Sequence, residues 1–401
     1  MNVVSPHFSY AGFALSFSLF NYSVSWLIFL SGLFFLRDRL YQVSDIFYAI
    51  GFLLVIVPLS VLYGHDMDRG VYPVIVSLVA MALAIRVASI KSVSFRKLPI
   101  IKDGMRYVIF VSAFFVIFLV IWYYVSGVGF NLDLKKVYEF RRGNEELAAG
   151  GLLGYTNNWT FKVFNLVLLA VALLYSRYFF AIVILLVQIY FYAASAHKGV
   201  LFSPFIILGL WFYFKRSNSL IFMPVALILV IFLSLVGYSV YGDLLSTSMF
   251  SRRLFFVPAN LTYAYFDFFS QNPNVFWSNS LLSRFLDYPY GQNQAMARVI
   301  GEFIGYPDQN ANNGFISSGF AHAGLFGVCL YSIIIGFILK FLNQTTLNLL
   351  PLWFTISLSL PPIRTLLVGS DLFVVMLTHG FLIVLVLIFF TRSKRYEAFE
   401  K

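Results

Sequence analysis

The sequence predicts an all-α polytopic integral membrane protein with about eleven transmembrane helices, ten to twelve, and two large loops on the outer side. Three observations carry that class. Of 401 residues, 60% are hydrophobic and only 11% are charged. Mean hydropathy is +0.83. Apolar runs of about 17–25 residues, enough to cross roughly 30 Å of hydrocarbon, recur along the chain. A soluble domain of this size keeps a largely polar surface, which this composition cannot supply. Residues 1–401 are read as a single transmembrane domain.

The runs fall near 16–36, 46–63, 71–90, 107–126, 159–175, 178–195, 200–214, 220–241, 314–339, 348–368 and 371–391. "SFSLFNYSVS" makes the entry to the first weakly polar, and the run at 200–214 is short for a full span. The start "MNVVSPHF" lacks a basic n-region, so no cleavable signal peptide is expected. Alternate connections, with the carboxyl tail, carry 16 Lys and Arg against 5 Asp and Glu, whereas all other positions carry 12 against 12. The net charge of +11 therefore gathers on one face, which the positive-inside rule assigns to the cytoplasm. Such a balance implies contact with anionic membrane lipids, not nucleic acid. The single cysteine, Cys329, excludes a disulfide framework and a Cys-ligated zinc site, and is expected as a small core residue.

With this orientation the cytoplasmic loops are short, which leaves no room for a nucleotide-binding domain. Non-membrane mass lies outside, in a first large loop at 127–158 and a second at 242–313. The second keeps "LFFVP", "YAYFDFF" and "FLDYPY", which predict short helices against the membrane surface. Internal repeats are not visible, and acidic residues inside spans are almost lacking; both weigh against a proton-coupled transporter.

The outer cations form the recurrent pattern: Arg141 and Arg142, Lys198 beside His197, Arg252 and Arg253, Arg298, and Arg364. Arg364 follows Pro361 and Pro362, which are expected to break their helix and open a cavity. Convergent guanidinium groups at a membrane interface suit an oxygen-rich anion such as a lipid diphosphate. Set beside it are the plainer readings: headgroup anchoring for Arg252 and Arg253, snorkelling for Lys198 and a self-neutralised loop for Arg141 and Arg142. Candidate acid–base groups are Glu302, His322 and Asp308, in that order, although Glu302 could simply pair with Arg298 four residues before it. Small residues around His322 suit close helix packing. Tyr263 and its aromatic neighbours suit stacking on sugars or plain packing. "HDMDRG" at 65–70 holds an Asp-x-Asp pair, expected as a solvated turn; no metal site or cofactor is expected.

Four features together resemble the O-antigen polymerases (Wzy-type) and related oligosaccharide repeat-unit polymerases. They are the helix plan with two large outer loops, "SAHKGVLFSP", "SRRLFFVPANLTYAYFDFFSQNP" followed by "WSNS", and "ANNGFISSGFAHAGLFGV". The resemblance covers most of residues 120–370 and implies a metal-independent glycosyltransferase in the bacterial inner membrane, its two large loops and active site periplasmic. A growing glycan on undecaprenyl diphosphate would be the donor and a lipid-linked repeat unit the acceptor; a chain-length regulator protein is a further implied partner. Arg252, Arg253, Lys198 and Arg364 would then stabilise the leaving diphosphate, Arg298 or Arg141 with Arg142 would hold the second lipid, and Glu302, His322 or Asp308 would be the base. An O-antigen ligase, or a flippase or other transporter, remains the alternative.

Overall fold

The computed structural model describes residues 1, 3–132, 151–280, 282–291, 294–347 and 349–393. Apolar runs become helices because a buried backbone must satisfy its own hydrogen bonds. Among the described residues there is no strand, only isolated bridges such as Ser16–Asp66. Six helices are long and apolar enough to cross a membrane: α2 (Val43–His65), α4 (Gly104–Val125), α5 (Leu153–Leu174), α6 (Tyr178–Ser195), α8 (Phe222–Tyr241) and α11 (Phe315–Thr346). Five further apolar helices are shorter: α1 (Leu19–Leu33), α3 (Tyr72–Ala88), α7 (Lys198–Phe214), α12 (Leu352–Val368) and α14 (Phe381–Thr391). Each of the eleven falls on one of the apolar runs in the sequence, so the chain is a polytopic helical membrane protein.

The second large loop contributes α9 (Val257–Phe269) and α10 (Met296–Phe303). Helix α9 is buried along most of its length, and Phe266 stacks on Phe320 of α11 at 4.0 Å between ring centres. This helix belongs to a core, not to a surface layer. Most residues of the first large loop, Arg141 and Arg142 among them, lie outside the described residues. A short helix, α13 (Leu372–Leu377), precedes α14.

The chain divides into two compact units. The first comprises Met1–Lys91, Ser219–Lys340 and Arg364–Leu372; the second comprises Ser92–Asn218, Phe341–Ile363 and Phe373–Lys401. Both units carry irregular turns inside helices. In the first unit, Pro58 lacks the N–H that a regular helix needs, and the π-wound turn Phe52–Ile56 lies just ahead of it in α2. In the second, the π-wound turn Thr160–Phe164 of α5 includes Phe161, whose carbonyl accepts from Gln188 Nε2 at 3.1 Å. Gln188 also accepts from Asn165 Nδ2 at 2.6 Å, which ties the two amides together inside an apolar bundle, while the buried Asn165 Oδ1 has no hydrogen-bond partner among the described residues.

Two expectations need correction. Helix α12 runs through Pro361 and Pro362 instead of breaking before Arg364. Cys329 is exposed on α11, not packed in a core.

Candidate functional site

Helix α11 is broken at Ala323 and Gly324. Gly324 takes φ +57° and ψ −140°, a conformation that only glycine adopts readily. The backbones of Gly319 and Gly327 consequently touch, and a Cβ on either would meet the other's carbonyl. The stripe of small residues serves that close approach. Breaking a helix strands the last carbonyls of its first arm. Residues 274–276 satisfy them: Asn274 Nδ2 donates to Phe320 O at 3.0 Å, Val275 N to Ala321 O at 2.9 Å and Phe276 N to His322 O at 2.8 Å. Phe276 and Trp277 both have positive φ, a strained backbone that these bonds hold in place.

At this break stands a buried polar network. The Trp277 N–H donates to His322 Nδ1 at 3.2 Å, and Nε2 of the same ring lies 3.3 Å from Asp371 Oδ2. That arrangement selects the neutral imidazole with its proton on Nε2, donated to the carboxylate. Tyr331 Oη donates to Asp371 Oδ2 at 2.7 Å and accepts from Trp277 Nε1 at 2.7 Å. The indole and imidazole stack at 5.0 Å. Both nitrogens of His322 are therefore engaged, and its side chain is only 2% exposed.

A second polar assembly forms around Arg69. Its Nε donates to Asp66 Oδ2 at 2.9 Å, and its Nη2 donates to Gly12 O at 2.6 Å and Asn260 Oδ1 at 2.7 Å. The guanidinium lies 4.7 Å from the centre of the Tyr263 ring. Asp66 in turn accepts from Ser16 Oγ at 3.0 Å and is 5% exposed. The "HDMDRG" turn, expected to be solvated, is thus buried at Asp66 and braces the amino-terminal segment against α9. Beside it opens a cavity of about 530 Å³, lined by Tyr10, Asp68, Arg69, Tyr263, Asp267 and Tyr306 among others.

The other sequence candidates are scattered. Arg252 and Arg253 sit in a π-wound segment, Thr247–Phe256, that leads into α9. The Arg252 guanidinium lies 4.4 Å from the Phe8 ring centre, and its buried Nε has no hydrogen-bond partner. Arg253, Arg298 and Arg364 are exposed and form no ion pair among the described residues. Glu302, also exposed, accepts from Gln294 Nε2 at 2.8 Å instead of pairing with Arg298. Asp308 is exposed beyond α10. Tyr263 is 4% exposed, with one face under Arg69, so it is a packed residue that only borders the cavity. Lys198 opens α7 and belongs to the second unit.

Arg252, Arg253, Arg298, Arg364, Glu302, His322, Asp308 and Tyr263 all belong to the first unit. The α9 and α12 ends come together there at a small cavity lined by Pro258, Thr262, Leu367 and Val368. Three residues of this region escaped the sequence reading: Asp371, Tyr331 and Arg69. Asp371 stands alone after "VGS" at the head of an apolar run, and an isolated carboxylate there is the signal that could have found it. Among the described residues no group of three or more His, Cys, Asp or Glu side chains is arranged to hold a metal. No protein-family model, curated protein or solved structure matches the chain.

Proposed function

We propose that this chain is a metal-independent glycosyltransferase of the O-antigen polymerase type. It would transfer a growing glycan from undecaprenyl diphosphate to a lipid-linked repeat unit, at the periplasmic face of the bacterial inner membrane. The observation that carries the reading is the set of exposed arginines Arg253, Arg298 and Arg364 in one unit, none with a carboxylate partner among the described residues. In a chain with so few charges, cations without internal partners suit an external anion. A polyprenyl diphosphate is such an anion: its head lies at the interface and its tail in the bilayer. Because the diphosphate is a good leaving group, the protein needs mainly to stabilise the charge that develops on it. Arg252, Arg253 and Arg364 are the proposed donors, and Arg298 the holder of the second lipid. A chain-length regulator would act as a separate partner.

The surface glycan of cells lacking the chain tests this. A lipid core carrying a single repeat unit is the expected result; a core with no repeat unit would favour a ligase or a flippase and sink the polymerase. Orientation is tested separately with an impermeant thiol reagent on Ser280→Cys and Ser393→Cys in a Cys329→Ala background. The first should label in intact cells and the second only after lysis.

A further inference from the structure

A general base is missing from the three acidic or imidazole candidates. His322 has both nitrogens engaged, Glu302 is held by Gln294, and Asp308 does not line the 530 Å³ cavity. Asp267 does line it. On α9, Asn260, Tyr263 and Asp267 recur at helical spacing, so one face of the helix forms the cavity wall. The Asp267 carboxylate has no hydrogen bond or ion pair among the described residues. Partial desolvation holds it above the usual carboxylate range, opposed by the Arg69 charge.

The charges facing this cavity decide what it takes. Asp66, Asp68 and Asp267 stand against Arg69 alone, so the wall is net negative and suits the sugar end of a lipid-linked unit better than its diphosphate. The Asp66–Arg69 pair is already satisfied within the scaffold. What remains is two carboxylate acceptors with Tyr10 and Tyr306 beside them, and Tyr306 Oη donating to Tyr10 O at 3.4 Å. Hydroxyl-accepting carboxylates next to aromatic rings suit a neutral sugar, and the volume lies within the roughly 300–1,000 Å³ of small-molecule sites.

Resting on the polymerase reading, we propose that this cavity holds the acceptor sugar of the lipid-linked repeat unit and that Asp267 is the catalytic base. The attacking hydroxyl oxygen forms a bond to the anomeric carbon of the donor glycan and gives its proton to the Asp267 carboxylate. The bond from that carbon to the diphosphate oxygen breaks, and its electron pair leaves with the lipid diphosphate. Atoms and charge balance without a further reactant.

The test uses the full chain reconstituted in liposomes with a single-repeat polyprenyl diphosphate glycan extracted from cells lacking the chain. Asp267→Asn should lose about a hundredfold or more in single-turnover rate, the scale of general-base catalysis. Its binding of polyprenyl diphosphate and its melting temperature should stay at wild-type values. Because a base works only when deprotonated, the wild-type rate should fall on the acid side with a midpoint above the ordinary carboxylate value of about 3.9. That limb should vanish in Asp267→Asn, and formate should restore part of the rate of Asp267→Ala. Wild-type ladders from Asp267→Asn would overturn the assignment, as would a lost rate with the acid limb intact and no formate rescue. A wild-type protein that makes no ladder while still binding the lipid would remove the polymerase reading, and with it this one.

Discussion

Arg69 and the Arg252–Arg253 pair belong to the same unit and differ in almost everything that decides what an arginine does. Arg69 has a carboxylate on Nε, a carbonyl and an amide oxygen on Nη2, and an aromatic face beside it. Among the described residues Arg253 is exposed with no ion pair, and Arg252 has the Phe8 ring as its contact. A guanidinium whose donors are filled by the chain is scaffold, because a ligand would have to displace those partners. One whose donors face outward costs little to the fold and is free for an anion. Sequence prominence ran the other way: two adjacent arginines after an apolar run stand out, and one arginine in a six-residue turn does not.

The most damaging substitution is expected at Arg69. Arg69→Met keeps the length of the side chain but leaves Asp66 buried without its cation, a change that costs about 3–5 kcal/mol when a buried pair loses one partner. Thermal unfolding of the purified protein should show a large loss. The double variant Arg69→Met with Asp66→Asn should recover part of it, since the stranded charge is gone. An unshifted melting temperature in Arg69→Met would mean that the assembly around the turn is not scaffold.

Arg253→Ala should do the opposite. Its melting temperature should stay unchanged, while single-turnover transfer falls roughly ten- to a hundredfold, up to about 3 kcal/mol of lost transition-state stabilisation. Arg253→Lys should recover only part, because a point charge lacks the bidentate fork. Transfer at wild-type rate in Arg253→Ala, with that of Arg252→Ala also intact, would reduce the pair to a headgroup anchor.

Tyr331→Phe probes the network at the α11 break. It removes the donor to Asp371 and the acceptor of Trp277 Nε1, two bonds of about 1 kcal/mol each. Unfolding should shift by about 2 kcal/mol, and amide exchange should quicken at Val275 and Phe276, whose bonds cap the broken arm. Unchanged exchange there would detach the network from the loop.

What the sequence made legible follows from range. The helices were readable because hydrophobic length is a local property, and all eleven apolar runs became helices. The close packing near His322 was readable for the same reason, since a stripe of small residues announces contact. Partnerships were not, because they join distant segments: Asp371 meets Tyr331 across 40 positions and Arg69 meets Asn260 across 191. The proline pair misled in another way. Pro361 and Pro362 remove two donors but keep helical φ, and α12 continues through them. The Glu302 pairing failed because helical spacing allows a salt bridge without requiring one at an exposed site, where such pairs are worth little.

Arg252 lies between the two extremes. Its guanidinium is over Phe8, a cation–π contact worth about 0.5–1 kcal/mol at a partly exposed site, while its buried Nε is unsatisfied. Arg252→Met keeps the apolar contact with Phe8 and removes the unsatisfied donor, so its stability should change by less than about 1 kcal/mol. If Nε waits for a diphosphate oxygen, the same variant should weaken polyprenyl diphosphate binding measurably in liposomes, and Phe8→Leu should not. If binding is unchanged in Arg252→Met but weakened in Arg253→Met, the two adjacent arginines divide the roles that Arg69 and Arg253 show separately, one tied to the fold and the other to the ligand.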